Sequence, residues 1–140
     1  MHVLSFIFPS PPPIMSFRKD RVRAIGVLKA RADITSEELQ TRAFALVEAV
    51  KALPIMQKNL LKYEVSFRSD GGSGELVKAL GLRETEFSVM VLAETDSHEK
   101  MHETLTDPEY LKLLDGALQT ITTREDFHVF PAEFVTIIDK

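Results

Sequence analysis

Phe87-Ser88-Val89-Met90-Val91-Leu92-Ala93 is the stretch on which the fold turns. Its apolar side chains alternate onto two sides, Phe87, Val89 and Val91 on one and Met90 and Leu92 on the other, which is the pattern of a strand covered on both faces. A strand of that kind sits in the middle of a sheet. Upstream, Leu61, Tyr63, Val65 and Phe67 alternate with Lys62, Glu64 and Ser66, giving a strand with one apolar face. Arg21 to Ala30 reads as a further strand, with Val22, Ala24, Gly26 and Leu28 on one side and Ile25 and Val27 on the other. The β-branched run Phe134 to Ile138 is the expected closing strand.

Helices fill the intervals. Thr35-Ser36-Glu37-Glu38 has the spacing of a capping box, in which the threonine hydroxyl and the glutamate carboxylate satisfy free N–H groups at a helix start. Leu39, Ala43, Leu46, Val47, Val50 and Leu53 then recur at steps of three and four, predicting a helix that ends before Pro54. Glu75 to Leu82 predicts a short helical connector closed by Gly81, after the flexible loop Ser69 to Gly74. Its glycines lack the lysine and hydroxyl that a phosphate-binding loop needs. Ser97 to Leu105 predicts a short helix, and Asp107-Pro108 opens the next, with Tyr110, Leu111, Leu114, Ala117, Leu118 and Ile121 as its apolar stripe.

The resulting order, β-α-β-β-α-β, predicts an α+β, ferredoxin-like sandwich whose helices cover only one face of an antiparallel sheet. The uncovered face is too apolar for water, so the sheet is expected to pair with that of a second copy. Pro9 to Pro13 precludes helix or a paired strand interior, so residues 1–14 are expected to form an extended arm ahead of a domain spanning 15–140.

Composition narrows the function. The 140 residues suit one domain, and a net charge of −4 with 27% charged residues offers no general attraction to nucleic acid or acidic membrane surfaces. The cluster Arg18, Lys19, Arg21 and Arg23 reads as a solvated edge. The absence of cysteine excludes disulfides, thiolate catalysis and thiolate metal sites. The opening apolar run is too short for a secretory signal, and no run approaches the roughly 20 apolar residues of a membrane span, so a cytoplasmic location is expected.

Over residues 15–140 the chain resembles the dimeric α+β barrel superfamily, and within it the EthD-like group. The resemblance rests on Arg18-Lys19-Asp20-Arg21-Val22, on Leu28-Lys29 through Thr35-Ser36-Glu37-Glu38-Leu39, on Leu61-Lys62-Tyr63-Glu64-Val65, and on Arg124-Glu125-Asp126-Phe127. It implies barrel-forming homodimers with a pocket between sheet and helices, and cofactor-free cyclases, isomerases and decarboxylases acting on aromatic or polyketide intermediates. Many such chains carry a His-Gly-Pro segment after the first helix. Here the sequence is Val50-Lys51-Ala52-Leu53-Pro54, without histidine.

Two sets of residues are candidates for chemistry. His98-Glu99-Lys100-Met101-His102 matches the H-E-x-x-H string of metalloproteases, but Lys100 and Glu103 charge the helix and no third ligand is recognisable, so no metal is expected. The same imidazoles, His98 or His102, suit a general acid or base, with Tyr63 supplying a phenolic hydrogen bond. Phe67, Phe87, Met90, Tyr110, Phe127, His128 and Phe130 are the expected lining of an apolar ligand pocket, although each also suits ordinary packing or exposure. The leading expectation is a cofactor-independent lyase, cyclase or isomerase acting on a small aromatic or polyketide-like molecule. The alternatives are a non-catalytic dimeric module for a hydrophobic ligand or stress protection, and, on the histidine string alone, a metal-dependent hydrolase.

Overall fold

A computed structural model describes residues 16–69 and 73–140. The arm expected over residues 1–14 and residues 70–72 of the expected glycine loop lie outside the described residues. In chain order the elements are β1 (Val22–Leu28), α1 (Ser36–Lys51), α2 (Pro54–Asn59), β2 (Lys62–Phe67), α3 (Ser73–Ala79), β3 (Val89–Thr95), α4 (His98–Leu105), α5 (Pro108–Thr120) and β4 (Phe127–Ala132). The strands form one sheet in the order β2-β3-β1-β4, with every neighbour antiparallel. β3 lies inside the sheet, as its two apolar sides require.

Local chemistry explains where the helices begin. Thr35 Oγ1 accepts from the Glu38 N–H at 3.1 Å and Glu38 Oε1 accepts from the Thr35 N–H at 3.3 Å, completing the capping box of α1. Asp107 accepts from the N–H groups of Glu109 and Tyr110, and Pro108, which has no N–H to satisfy, takes the first turn of α5. After α3, Gly81 adopts φ +68°, a conformation that side chains disfavour, and so turns the chain toward β3.

β1 shows how the two faces differ. Val22, Ala24, Gly26 and Leu28 are buried under the helices, whereas Arg23, Ile25 and Val27 are half-buried on the opposite side. Leu39, Ala43 and Val50 of α1, Met101 of α4 and Ala117 of α5 are the helical side of the core.

Three expectations need correction. The closing strand is Phe127–Ala132, and Phe134 to Ile138 belongs to no strand. A short link from α5 delivers Phe127 directly to the free edge of β1, where Ile25 pairs with Phe130 and Val27 with His128. An edge strand tolerates Pro131, because the missing N–H on its outer side has no ladder partner to lose. β3 runs from Val89, with Phe87 before it, and extends to Glu94 and Thr95. Finally, Arg21 and Arg23 are not merely solvated. Arg21 Nη1 and Arg23 Nε lie 2.8 and 2.6 Å from the two oxygens of Glu94, which is only 1% exposed. The Arg23 guanidinium also stacks 3.6 Å above the Phe134 ring.

Candidate functional site

Sequence decides where this sheet leaves space. Ala24 of β1 and Ala93 of β3 are register partners on the helix side, and Gly26 follows one pleat along. Small residues on adjacent strands cannot reach the helices above them. The space that results is a cavity of about 80 Å³ between the sheet and α1, α2 and α5. That is about half of the ~150 Å³ in which an apolar protein cavity takes up benzene, so the molecule that fits is smaller than such a ring, of about three or four non-hydrogen atoms.

The wall is almost wholly hydrocarbon. Val47 and Val50 of α1, Met56 of α2 and Leu114 of α5 form its roof, and Val65, Val91 and Phe127 much of its floor. Tyr63 of β2 and Tyr110 of α5 are the only lining side chains with a hydrogen-bonding group among the described residues. Burial raises the pKa of Tyr63 above the usual phenol value, and the nearby Tyr110 raises it further; burial likewise raises that of Tyr110. Both phenols therefore keep their protons across the physiological range. Neither hydroxyl bonds to another protein group among the described residues.

The residues singled out in the sequence fall into three places. Tyr63, Tyr110 and Phe127 are on the cavity wall. Phe67 shares their side of the sheet but packs at its far end, its ring 5.4 Å from that of Phe44. Met90, His128 and Phe130 are on the opposite, open face, where Phe87 meets the His128 ring edge-on at 5.9 Å. The expectation that one pocket gathers all of them is corrected by the pleat: neighbours in sequence along β4 point to opposite sides of the sheet.

The histidines of α4 are elsewhere again. His98 is about half exposed, with Nε2 3.3 Å from Glu133 Oε1, and His102 is exposed one turn later. Neither lines the cavity. α4 turns Met101 and Thr104 inward, so the positions on either side of them face outward. Among the described residues no three His, Asp or Glu side chains converge as metal ligands would. Sequence reasoning missed the small residues Ala24, Gly26 and Ala93, whose lack of bulk opens the space. The signal was present as small side chains at alternate positions of one strand.

No family model matches the chain, and no curated protein sequence matches it. Solved structures do. A dimeric ferredoxin-like protein from Bacteroides fragilis is 24% identical, with TM-score 0.60, over 85% of this chain and 100% of its own. The fold is ferredoxin-like. Hydroxynitrile lyase from Passiflora edulis is 12% identical, with TM-score 0.60, over 84% of this chain and 95% of its own. An ethyl tert-butyl ether D (EthD) family protein from Bacillus halodurans is 16% identical, with TM-score 0.59, over 81% and 98%. Among the described residues no helix is long and apolar enough to cross a membrane.

Proposed function

We propose that the chain works as a homodimer joined through the open face of its sheet, and that each subunit holds a small, uncharged, mostly apolar molecule in the cavity between sheet and helices. The observation that carries the ligand reading is the cavity itself, a void walled by hydrocarbon in which the polar groups are confined to two phenols. Water gains little there. An apolar molecule of the right size gains contact with the hydrocarbon walls.

The dimer reading rests on the open face. Ile25, Val27, Met90, Leu92 and Phe130 lie together there on three adjacent strands, with Phe130 48% and Met90 40% exposed. A patch of that composition is an association surface, and the Bacteroides fragilis relative of the same fold is dimeric. The expected result in light scattering is a species of twice the chain mass at micromolar concentration. A monomer would refute this part of the proposal.

Binding is favoured over catalysis. A cofactor-independent lyase, cyclase or isomerase needs a group that accepts a proton from its substrate. Tyr63 and Tyr110 are held protonated, and His98 and His102 are on the outer side of α4. The wall thus offers proton donors without a base. Ligand capture is tested by following methyl NMR signals of the cavity wall as propane or isobutane is added; saturable shifts at Val47 and Leu114 are expected, and unshifted signals would refute it.

A further inference from the structure

We infer that Tyr63 and Tyr110 together form a hydrogen-bond donor site for the oxygen of an uncharged carbonyl compound, an aldehyde or ketone whose small hydrocarbon body fills the rest of the cavity. This deepens the ligand-binding proposal above and rests on it. The two residues come from distant elements, β2 and α5, and meet on one wall that is otherwise hydrocarbon. Tyr110 is close enough to Tyr63 to oppose its ionisation. Both hydroxyls lack a protein partner among the described residues, so each has a proton free to donate.

The chemistry of the wall selects the class. A carboxylate brought into the cavity would lose its hydration and meet no cation, because among the described residues no lysine, arginine or histidine lines it. A pure hydrocarbon would fill the void without using the two phenols, whose hydroxyls then have only water as a partner, whereas a hydrogen-bonding ligand engages both. A carbonyl oxygen carries lone pairs and no proton, so it accepts from phenols and leaves no donor of its own unsatisfied. Burial supports the assignment from a second side, since it keeps both phenols in the donating form.

The test uses the full-length protein and three probes of similar size: acetone, propane and acetate. Affinities are read by NMR for the native chain and for Tyr63→Phe and Tyr110→Phe, each checked by circular dichroism for an intact fold. Acetone is expected to bind more tightly than propane, and the carboxylate not to bind. Each phenylalanine variant is expected to weaken acetone about two- to tenfold, the range of one hydrogen bond, while leaving propane unchanged. Equal affinity for ketone and hydrocarbon in all three proteins would overturn the donor site while leaving the ligand cavity standing. Failure of every probe to shift a wall signal would overturn the cavity proposal and the donor site with it.

Discussion

The two faces of the sheet are built from the same strands, residue by residue in alternation, yet they meet different fates. On the helix side, Ala24, Gly26 and Ala93 are too small to fill the space beneath α1 and α5, and a cavity remains. On the other side, Ile25, Met90, Leu92 and Phe130 are large, and no helix of the described residues lies above them. One face is covered but incompletely filled; the other is well supplied with apolar bulk but uncovered. Burial of apolar area drives both, and the difference is whether the cover belongs to the same chain.

Polar groups sharpen the contrast. The cavity has two neutral phenols, whereas the open face ends in the ionic cluster of Arg21, Arg23 and Glu94. Desolvation pushes the Glu94 pKa up, but the hydrogen bonds from Arg21 and Arg23, with their charges, outweigh it, and the net direction is downward. A buried carboxylate with two guanidinium partners is a fixed boundary to the apolar patch.

The largest effect is expected from Met90→Glu, which puts a charge in the centre of the open face. The dimer should give way to a monomer in light scattering with the circular dichroism spectrum retained; a dimer of unchanged stability would break the contrast between the faces. Next comes Glu94→Ala. Removing the carboxylate leaves two arginines without their partner and should cost about 2–4 kcal/mol in chemical denaturation, somewhat less than a fully buried pair because both arginines are partly exposed. The same group sets a pH dependence. Its folded pKa is depressed, so its contribution is complete above the ordinary value of 4.5 and is lost as pH falls through the lower folded value. Native protein should therefore lose more stability than Glu94→Ala below pH 4.5, and parallel pH profiles would refute the assignment.

A smaller effect of opposite sign is expected on the helix side. A Cβ at Gly26 would lie 3.6 Å from side-chain atoms of Phe127 and Val129, an ordinary contact, so Gly26→Ala should stabilise by about 0.5–1 kcal/mol through lower chain entropy in the unfolded state. A destabilised variant would mean that the floor of the cavity is tighter than its geometry indicates. The smallest effect is reserved for His98→Ala and His102→Ala. Both side chains are exposed and outside the cavity, so stability should change by no more than about 0.5 kcal/mol and probe binding not at all. Loss of probe binding in either variant would return the histidines to the site.

Much of the fold was legible because it is written in short-range signals. The capping box at Thr35 and Glu38, the Asp107-Pro108 start and the turn at Gly81 are local and were found where they occur. The edge strand was misread because β-branched residues at 134–138 outweighed Phe127–Ala132, a segment interrupted by proline. Strand propensity reports fit to a pleated surface, and only the pairing with β1 decides which segment has one. Of the residues singled out in the sequence, Tyr63, Tyr110 and Phe127 lie on the cavity wall. The remaining aromatic candidates divided between two faces, and the histidine string, for all its resemblance to a metal motif, faced outward.

The sequence by itself determined the order of the four strands and of every helix but α2, the caps at Thr35 and Asp107, and the two-sided character of Val89 to Leu92, since each depends on residues within a turn or a pleat of one another. Only the tertiary structure decided that Ala24, Gly26 and Ala93 leave a space, that Tyr63 and Tyr110 meet in it, and that Glu94 is held between Arg21 and Arg23. These outcomes depend on which distant segments are brought together. Spacing along the chain carries the period of a helix or strand, but the volume left between a helix and a sheet is set by side chains that the chain places far apart.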